Sequence, residues 1–403
     1  MSSETEEGSL KNNSKGLLPR LRFPEFVNSP AWKKHYFSEL FRIGNGRDYK
    51  HLDPGDVPVY GSGGYMLSVN DYLHNGESVC IGRKGTIDKP VFLSGKFWTV
   101  DTLFYTYQFQ GCLPKFIYYV FLQINWMEHN EAGGVPSLTK ITIGSITSYI
   151  PFLGEQQKIA DCLSSLDDLI TLESRKLDTL KQHKKGLMQQ LFPAEGETVP
   201  RLRFPEFRGA GEWNMVPLHK LGEIITGNTP STSNCTFYGG RIPFVSPADI
   251  SDKRFVKKTK ITLSEFGYSE ARPVKAGSVL FVCIGSTIGK VAQNLHDCAT
   301  NQQINSIVPN NSNDSGFIYY CADFNSEKIS SFSGRQAIPI INKTSFSSIE
   351  VKIPAKLEQK KIAHCLSSLD DLIAAQVQKV ESLKTHKKGL MQQLFPILDD
   401  AVA

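Results

Sequence analysis

The sequence predicts an α+β fold: two α/β domains in tandem pseudo-repeat, separated by two long helices that form an antiparallel coiled coil. Three observations predict it: an internal duplication, two long segments with coiled-coil periodicity, and two stretches of short strands and turns. Residues 19–26 recur letter for letter as residues 200–207, and residues 183–193 recur as residues 386–396. Self-similarity on this scale indicates a repeated structural unit.

A length of 403 residues agrees with two globular domains and connecting helices, at about 100–200 residues per domain. The expected boundaries are a polar, disordered tail at 1–16, a first domain at 17–150, a first helix at 151–193, a second domain at 194–353, a second helix at 354–396 and a tail at 397–403.

The two copies share their opening and closing motifs, but the residues between these motifs differ. The opening motifs lie 181 residues apart and the closing motifs 203 residues apart, so the second copy is longer by 22 residues. Stability alone gives no reason for this divergence. A protein that reads two different things on one symmetric scaffold would need it.

The sequences of both domains consist of short β-rich runs separated by turns. In the first these are residues 57–60, 78–81 and 102–107, with glycines between them, and in the second residues 242–245, 278–284 and 304–308. Such loop-rich domains offer many positions for recognition residues.

A 3–4 spacing of apolar residues runs through 155–191 and 358–394 and predicts a coiled coil. Each helix would be about 55 Å long at 1.5 Å per residue. The alternative is a helix packed only against its own domain. The spacer seam consists of Ile159, Leu163, Leu166, Ile170, Leu177 and Leu180 in the first helix and Ile362, Leu366, Leu369, Ile373, Val380 and Leu383 in the second, and it continues to Leu187, Leu191, Leu390 and Leu394.

Polar residues interrupt the seam at equivalent places. Glu173 matches Gln376, and Lys184 matches Lys387. A polar seam residue commonly fixes the register of a coiled coil, and we assign that role to Glu173 and Gln376. Gly186 and Gly389 lie inside predicted helices, where each glycine destabilises the helix by about 1 kcal/mol relative to alanine. They indicate either the close approach of another helix or subunit, or a local break.

Composition limits the classes of function. The net charge of +5 is modest, so an acidic partner must meet a local patch. The eight cysteines form no CxxC pair, and we expect them to be reduced and structural, with no metal site. The N-terminus does not read as a signal peptide, and no apolar run reaches about 18 residues, so we expect a cytoplasmic protein without a membrane segment.

No catalytic motif is present in the sequence. We find no Asn/Asp-Pro-Pro-Tyr/Phe tetrapeptide of an amino-methyltransferase, no GxGxxG, HExxH or GxSxG, and no nuclease-style carboxylate pair followed by lysine. The segment 285–291 looks like a phosphate loop but has the wrong spacing and lacks a Ser or Thr after its lysine. A binding and scaffolding protein is the favoured class.

Glycine-rich turns with cations are the candidate nucleic-acid contacts. Glycine lets the backbone approach phosphates and base edges, and Arg and Lys supply charge and bidentate guanine contacts. The alternative is a tight hairpin or a solvated charged face. The candidates are Arg47, Lys50, Arg83, Lys84 and Lys89 in the first domain, and Thr229, Lys253, Arg254, Lys257, Lys258, Ser286 and Lys290 in the second.

Taken together, these motifs resemble the specificity subunit of type I restriction-modification systems. In the first copy the resemblance rests on residues 21–26, 46–49, 79–86, 97–102 and 156–160, and in the second on residues 226–230, 249–250, 285–290 and 299–302. The closing segments at 183–193 and 386–396 look like the family's central conserved regions. The resemblance covers nearly the whole chain from 19 to 396.

The resemblance implies two target recognition domains, each reading one half of a bipartite DNA site, with a coiled coil that sets the spacing. It implies a non-catalytic subunit that binds double-stranded DNA, two methylase subunits and two restriction subunits. S-adenosylmethionine, Mg²⁺ and ATP are then expected in the partner subunits and no cofactor in this chain. A coiled-coil adaptor that binds proteins, and a hidden enzyme, are the competing interpretations.

Overall fold

The computed structural model describes residues 16–334 and 339–396. The predicted tails at 1–16 and 397–403 lie outside the described residues, apart from Gly16. The chain divides into two compact units, one of Met1–Leu172 with Val380–Ala403 and one of Glu173–Lys379, which we call unit 1 and unit 2. Each unit contains one predicted domain and parts of both long helices.

In its described part, unit 1 contains three small antiparallel or mixed sheets and three short α-helices. One sheet has the antiparallel order β2-β9-β6-β7, a second has the order β4-β3-β8-β5 with β3 and β8 parallel, and β1 pairs with β10. The elements are β1 (Lys33–Tyr36), α1 (Phe37–Leu40), β2 (Arg42–Asn45), β3 (Pro54–Gly61), β4 (Gly64–Val69), β5 (His74–Asn75), β6 (Ser78–Gly82), β7 (Val91–Leu93), β8 (Lys96–Thr99), β9 (Leu103–Tyr107), α2 (Pro114–Phe121), α3 (Lys140–Ser145), β10 (Thr147–Ile150) and α4 (Leu153–Leu191), which continues into unit 2.

Among the residues that the structure describes, unit 2 repeats this sheet topology with one additional strand. Its sheets have the orders β12-β20-β17-β18-β14 and β15-β13-β19-β16, with β13 and β19 parallel, and β11 pairs with β21. The elements are β11 (Asn214–Pro217), β12 (Gly222–Thr226), β13 (Tyr238–Val245), β14 (Phe255–Val256), β15 (Ile261–Leu263), α5 (Glu265–Glu270), β16 (Pro273–Val274), β17 (Val279–Val282), β18 (Val291–Asn294), β19 (Cys298–Thr300), β20 (Ile304–Pro309), α6 (Ser315–Phe324), α7 (Ser326–Ser330), α8 (Lys343–Ser348), β21 (Glu350–Ile353) and α9 (Lys356–Leu394), whose end lies in unit 1.

The additional residues of the second copy concentrate in one place. Equivalent strand pairings give an offset of 185 at Val59 and Phe244, and of 200 at Gly82 and Val282. Fifteen of the 22 extra residues therefore lie between β13 and β17. This segment includes β14, which pairs in parallel with β18, and the cation-rich residues around it.

The repeated opening motif attaches each unit to the start of a long helix. In unit 1 the Arg22 guanidinium donates from Nε and Nη2 to the two carboxylate oxygens of Glu155, at 2.7 and 2.6 Å. In unit 2 Arg203 makes the same bidentate contact with Glu358, at 2.8 and 2.7 Å. All four side chains are buried. The identical motifs thus have an identical structural role.

Aromatic cores enclose the helix ends. In unit 1 Trp32 and Phe116 pack on Phe395, which follows α9, and Leu163 of α4 belongs to the same core. In unit 2 Trp213 and Phe317 pack on Phe192, which follows α4. Each domain therefore buries the apolar stripe of one helix at its start and of the other at its end.

The long helices pair antiparallel, as the sequence predicts. In unit 2 Lys184 of α4 meets Asp370 of α9, and Glu173, earlier in α4, meets Gln376, later in α9. Each helix has 39 residues, about 58 Å at 1.5 Å per residue. The predicted fold class, two tandem α/β repeats each followed by a long helix, is confirmed.

The predicted seam residues are buried or half-buried along both helices. Ile159, Leu163, Glu173, Leu191, Ile362, Leu366, Gln376, Val380 and Leu394 are buried, and Leu166, Ile170, Leu177, Leu180, Leu369, Ile373 and Leu383 are half-buried. Gly186 and Gly389 lie inside unbroken helix, so the helices are not broken at these positions. No described atom lies within 4 Å of the position of a Cβ at either glycine, so the chain itself does not approach closely there.

Candidate nucleic-acid interface

Three loop segments converge in unit 1. The residues after β2, the β3–β4 turn and the residues after β8 line a cleft of about 560 Å³ that includes Lys50, Tyr65 and Asp101. Gly46 lies so close to the backbone after β8 that a Cβ there would be 1.9 Å from the Val100 carbonyl oxygen. Only glycine permits this approach, which brings Arg47 beside the cleft.

A fourth segment joins them through the turn after β6. Gly85 has a φ of +87°, and a Cβ there would lie 3.5 Å from Ser62 Oγ in the β3–β4 turn. The Arg83 amide donates to the Thr102 carbonyl oxygen at 2.8 Å, which fixes this turn against the residues that follow β8. The structure thus brings together predicted candidates that lie about 35 residues apart in sequence.

The candidate cations of unit 1 are solvent-exposed. Arg47, Lys50, Arg83, Lys84 and Lys89 all have exposed side chains. Of these, Lys50 lines the cleft; Arg47, Arg83, Lys84 and Lys89 do not. Exposed cations beside a backbone-lined cleft suit contacts with phosphates and base edges.

Sequence reasoning missed Lys140 at the start of α3. Burial and the neighbouring Arg83 guanidinium lower the pKa of Lys140. An isolated bridge between Lys84 and Ser137 places the segment before α3 beside the turn after β6. No local motif signals this neighbour, since it comes more than 50 residues after Arg83.

Unit 2 has equivalent backbone hydrogen bonds around its glycine turn, but the side chains differ. The Gly85 amide donates to the Pro136 carbonyl oxygen, and the Gly285 amide to that of Pro339. The amides of Leu138 and Ile341 likewise donate to the carbonyl oxygens of residues 83 and 283. The glycine turns therefore match at Gly85 and Gly285.

The two candidate surfaces carry different side chains at the residues that precede the matched glycines Gly85 and Gly285. Where unit 1 has Arg83 and Lys84, unit 2 has the buried Cys283 and the half-buried Ile284. The Thr229 hydroxyl of unit 2 donates to Gln302 Oε1 at 2.8 Å. One domain presents cations at this turn, whereas the other presents hydroxyls and amides nearby.

The remaining candidates of unit 2 separate into exposed and internal side chains. Thr229, Lys253, Lys257, Lys258, Ser286 and Lys290 are exposed. Lys290 Nζ donates to the Ile250 carbonyl oxygen at 3.3 Å. Arg254 is half-buried and its guanidinium bonds inside the unit, to Gln293 and Tyr320.

Each unit also contains a Tyr-Asp-Lys triad that the sequence analysis overlooked. In unit 1 the Tyr119 hydroxyl and Lys387 Nζ donate to the two oxygens of Asp167, at 2.9 and 2.5 Å. In unit 2 Tyr320 and Lys184 do the same with Asp370, at 2.5 and 2.6 Å. The signal was the segment Cys-Leu-Ser-Ser-Leu-Asp-Asp-Leu-Ile, which occurs at 162–170 and 365–373.

The tyrosines of the triads remain protonated donors. Burial, followed by the neighbouring carboxylate, raises the pKa of Tyr119 and of Tyr320. Both seam lysines lie over a tyrosine ring at 5.2 Å from its centroid. Seam residues Lys184 and Lys387 thus connect the helices to the globular part of each unit.

Other kinds of site are not evident within residues 16–334 and 339–396. This part of the chain contains no cluster of three or more potential metal ligands. It also contains no helix that is both long and apolar enough to cross a bilayer. All eight cysteines are free thiols, and burial raises the pKa of Cys80, Cys112, Cys283, Cys298 and Cys321 to about 12.

Two tandem α/β domains with exposed cations, joined by paired long helices, define a class of two-domain binding and scaffolding proteins, and comparison with known proteins identifies the family. The model of the type I restriction modification DNA specificity domain matches residues 31–182 and 210–385. The chain belongs to the specificity subunit family of type I restriction-modification systems. Both matches extend from a domain into the long helix that follows it.

Individual relatives agree with this assignment. The specificity subunit of the type I restriction enzyme HindI from Haemophilus influenzae is 26% identical over 326 residues, which cover 62% of this chain and 70% of that protein. The MjaVIII specificity subunit of Methanocaldococcus jannaschii is 26% identical over 352 residues, covering 82% and 79%.

Solved structures show the same fold. The S subunit from M. genitalium superimposes with a TM-score of 0.64 at 14% identity, over 95% of this chain and 100% of that one. A chain from a study of complex assembly in the type I R-M system gives 0.54 at 16% identity, over 91% and 98%.

Proposed function

We propose that this chain is the non-catalytic subunit that gives a type I restriction-modification complex its DNA sequence specificity. Each recognition domain reads one half of a bipartite target in double-stranded DNA. The observation that carries the proposal is the shared frame: equivalent hydrogen bonds hold the turns at Gly85 and Gly285, but the exposed chemistry around them differs. A repeated scaffold with different contact residues suits an asymmetric target.

The exposed cations supply the affinity in this proposal. Phosphate contacts from lysine and arginine give binding that is strongly salt dependent, whereas side chains at base edges discriminate between sequences. Arg47, Lys50, Arg83 and Lys84 serve the first half-site, with Lys89 further along. Thr229, Lys253, Lys257, Lys258, Ser286 and Lys290 serve the second.

The paired helices set the spacing between the half-sites and dock the partner subunits. The buried seam and the triads give α4 and α9 a fixed register inside each unit. Exposed leucines at equivalent positions, Leu169 at 36% and Leu372 at 55%, remain on the helix surface. Equivalent surfaces on the two copies would bind two identical methylase subunits.

The chemistry belongs to the partners. Two methylase subunits bind S-adenosylmethionine, and two restriction subunits use ATP with Mg²⁺. The complex acts in the cytoplasm. This chain positions the methylase on DNA, and its own residues bind and orient without taking part in bond making.

Genome-wide adenine methylation, read by single-molecule sequencing, tests the proposal. Cells that express the chain with its cognate methylase are compared with cells that express the methylase alone. We expect a bipartite motif only when the chain is present. If the complex assembles but no motif appears, the chain is a protein adaptor and the specificity role is wrong.

Matched variants assign the half-sites. A double change of Arg83 and Lys84 to Ala is expected to alter methylation through the first half-site only. The corresponding change of Lys257 and Lys258 is expected to act through the second. A surface control such as Lys181→Ala, on the exposed side of α4, should leave the motif unchanged.

A further inference from the structure

The cationic loop of unit 2, residues 252–260, has an internal anchor. Lys253, Lys257, Lys258 and Lys260 point to solvent, but Arg254 is half-buried among them. Its Nε and Nη2 donate to Gln293 Oε1 at 2.9 and 2.7 Å, and its Nη1 donates to the Tyr320 hydroxyl at 3.1 Å. The donors that could read a guanine or a phosphate are therefore engaged inside the unit.

Stacking and backbone contacts strengthen the anchor. The guanidinium carbon lies 4.6, 5.2 and 5.0 Å from the ring centroids of Phe255, Tyr319 and Tyr320. The backbone carbonyl oxygen of Arg254 accepts from the Gln293 amide at 2.7 Å. Planar guanidinium groups suit such stacked, forked contacts, which a lysine ammonium cannot reproduce.

The anchor continues to the helix pair. The Tyr320 hydroxyl that accepts from Arg254 donates to Asp370 of α9, and Asp370 also accepts from Lys184 of α4. A polar chain thus runs from the cationic loop through Arg254 and Tyr320 to both long helices. Every link lies within unit 2.

Unit 1 lacks the first link. Its triad of Tyr119, Asp167 and Lys387 has the same hydrogen bonds, but the strand equivalent to β14 is absent from its sheet order, β2-β9-β6-β7. The anchored loop is therefore specific to unit 2 and lies in the segment that holds most of its extra residues.

We propose that Arg254 is a positioning residue, which holds the cationic loop in place for the second half-site by tying it to the Tyr320-Asp370-Lys184 triad. It is not itself a contact to DNA. The inference rests on the proposed function for its effect on DNA, but the anchoring of the loop can be measured without DNA.

The first experiment is limited trypsin digestion of the full chain, with cleavage after Lys257 and Lys258 followed by mass spectrometry. Arg254→Lys keeps the charge, and Tyr320→Phe keeps the ring but removes the hydroxyl. A single lost hydrogen bond corresponds to about three- to tenfold faster cleavage, and we expect both variants to accelerate cleavage in the loop by at least this factor. Tyr119→Phe removes the matching hydroxyl in unit 1 and should leave loop cleavage unchanged.

The second experiment compares binding of the assembled complex to duplexes that differ in one half-site only. Arg254→Lys and Tyr320→Phe should lose discrimination at the second half-site and keep it at the first. General destabilisation would weaken binding to all duplexes alike. A double variant should be no worse than either single variant, since both break one chain of contacts.

Three outcomes would overturn the inference. If loop cleavage in Arg254→Lys equals that of the native chain, there is no anchor. If Arg254→Ala weakens binding and Arg254→Lys restores it with the native salt dependence, Arg254 is a phosphate contact. If discrimination falls equally at both half-sites, the role of Arg254 is only structural. A native complex without sequence preference would instead overturn the proposed function, and digestion would still decide the anchor.

Discussion

Gln376 and Glu173 face each other across the helix seam of unit 2. The Gln376 amide nitrogen donates to the backbone carbonyl oxygen of Glu173 at 2.8 Å and to its carboxylate at 2.6 Å. Lys379 donates to the other carboxylate oxygen at 2.5 Å. Two polar residues that the sequence marks as interruptions of the seam thus satisfy each other, which suits a register device.

The first prediction concerns this pair. Gln376→Leu removes the amide donor and leaves the Glu173 carboxylate less well satisfied at a site where it is only 7% exposed. We expect the free energy of unfolding to fall by about 1–3 kcal/mol. Changing both residues to Leu should recover most of that loss, because an apolar pair fits the seam. Urea unfolding of the full chain measures both; equal midpoints for Gln376→Leu and the native chain would contradict the prediction.

The second prediction concerns pH. Hydrogen bonds from Lys379 and then Gln376 lower the pKa of Glu173 from its ordinary value of 4.5. Folding therefore favours the ionised form, and the resulting stabilisation is full above pH 4.5 and lost as the pH falls through the lower folded pKa. We expect the stability difference between the native chain and Glu173→Gln to shrink below pH 4.5.

Unfolding midpoints at neutral and acidic pH provide the measurement. Glu381→Gln is the control, because Glu381 forms only an exposed ion pair with Lys384 and should contribute little at any pH. A difference between the native chain and Glu173→Gln that stays constant with pH would rule out the ionised seam carboxylate.

The third prediction concerns the repeated opening motif. Arg203→Ala leaves the Glu358 carboxylate buried without its bidentate partner, and we expect a loss of about 3–5 kcal/mol in unfolding free energy. Arg22→Ala should have a similar effect through Glu155. Lys361→Ala, which breaks the exposed pair with Glu206, is the control and should change stability much less. Thermal unfolding that does not distinguish Arg203→Ala from Lys361→Ala would contradict this account.

The sequence could predict the helices because their signal is local and repeated. Periodic spacing identifies the seam from Ile159 onward, and equivalent polar positions identify Glu173 and Gln376. The duplicated Arg22 and Arg203 could be seen to matter, but their partners at 155 and 358 lie far along the chain. No pattern in one sequence states which distant carboxylate an arginine meets.

The candidate interface was harder to predict. A charge run does not reveal which side chain turns inward, so Arg254 was grouped with its exposed neighbours Lys253 and Lys257. The offset of 200 residues that pairs Gly85 with Gly285 includes 15 extra residues between β13 and β17, and strand pairing is what reveals it. Folding brings loops from distant parts of the chain together, whereas a sequence pattern relates only residues that are close along the chain.

The fourth prediction concerns the helix glycines. A Cβ at Gly186 or Gly389 would meet no atom of the described chain within 4 Å. Gly186→Ala and Gly389→Ala should therefore stabilise the isolated chain by about 1 kcal/mol each through helix propensity. If a partner helix packs at these positions, the same changes weaken assembly with the methylase. Thermal unfolding and a co-purification assay separate the two effects, and loss of stability in the isolated chain would contradict the prediction.

The fifth prediction concerns Arg83 in the cationic turn of unit 1. Removing one phosphate contact lowers the slope of log affinity against log salt by about one, whereas removing a guanine contact costs about 1–3 kcal/mol at one base pair. Arg83 is exposed, and backbone hydrogen bonds to Thr102 and Leu138 fix its main chain. The position of its Cα is therefore well defined, although its side chain is free to contact DNA. We expect Arg83→Ala in the assembled complex to relax the base preference at one position of the first half-site and to leave the preference at the second half-site unchanged.

Lys84→Ala is the matched comparison, since it changes the neighbouring residue of the same turn. Binding isotherms at several salt concentrations, on duplexes varied one base pair at a time, make the measurement. If both variants show native affinity, native salt slope and native preference, the turn after β6 is a solvated hairpin and the interface of unit 1 lies elsewhere.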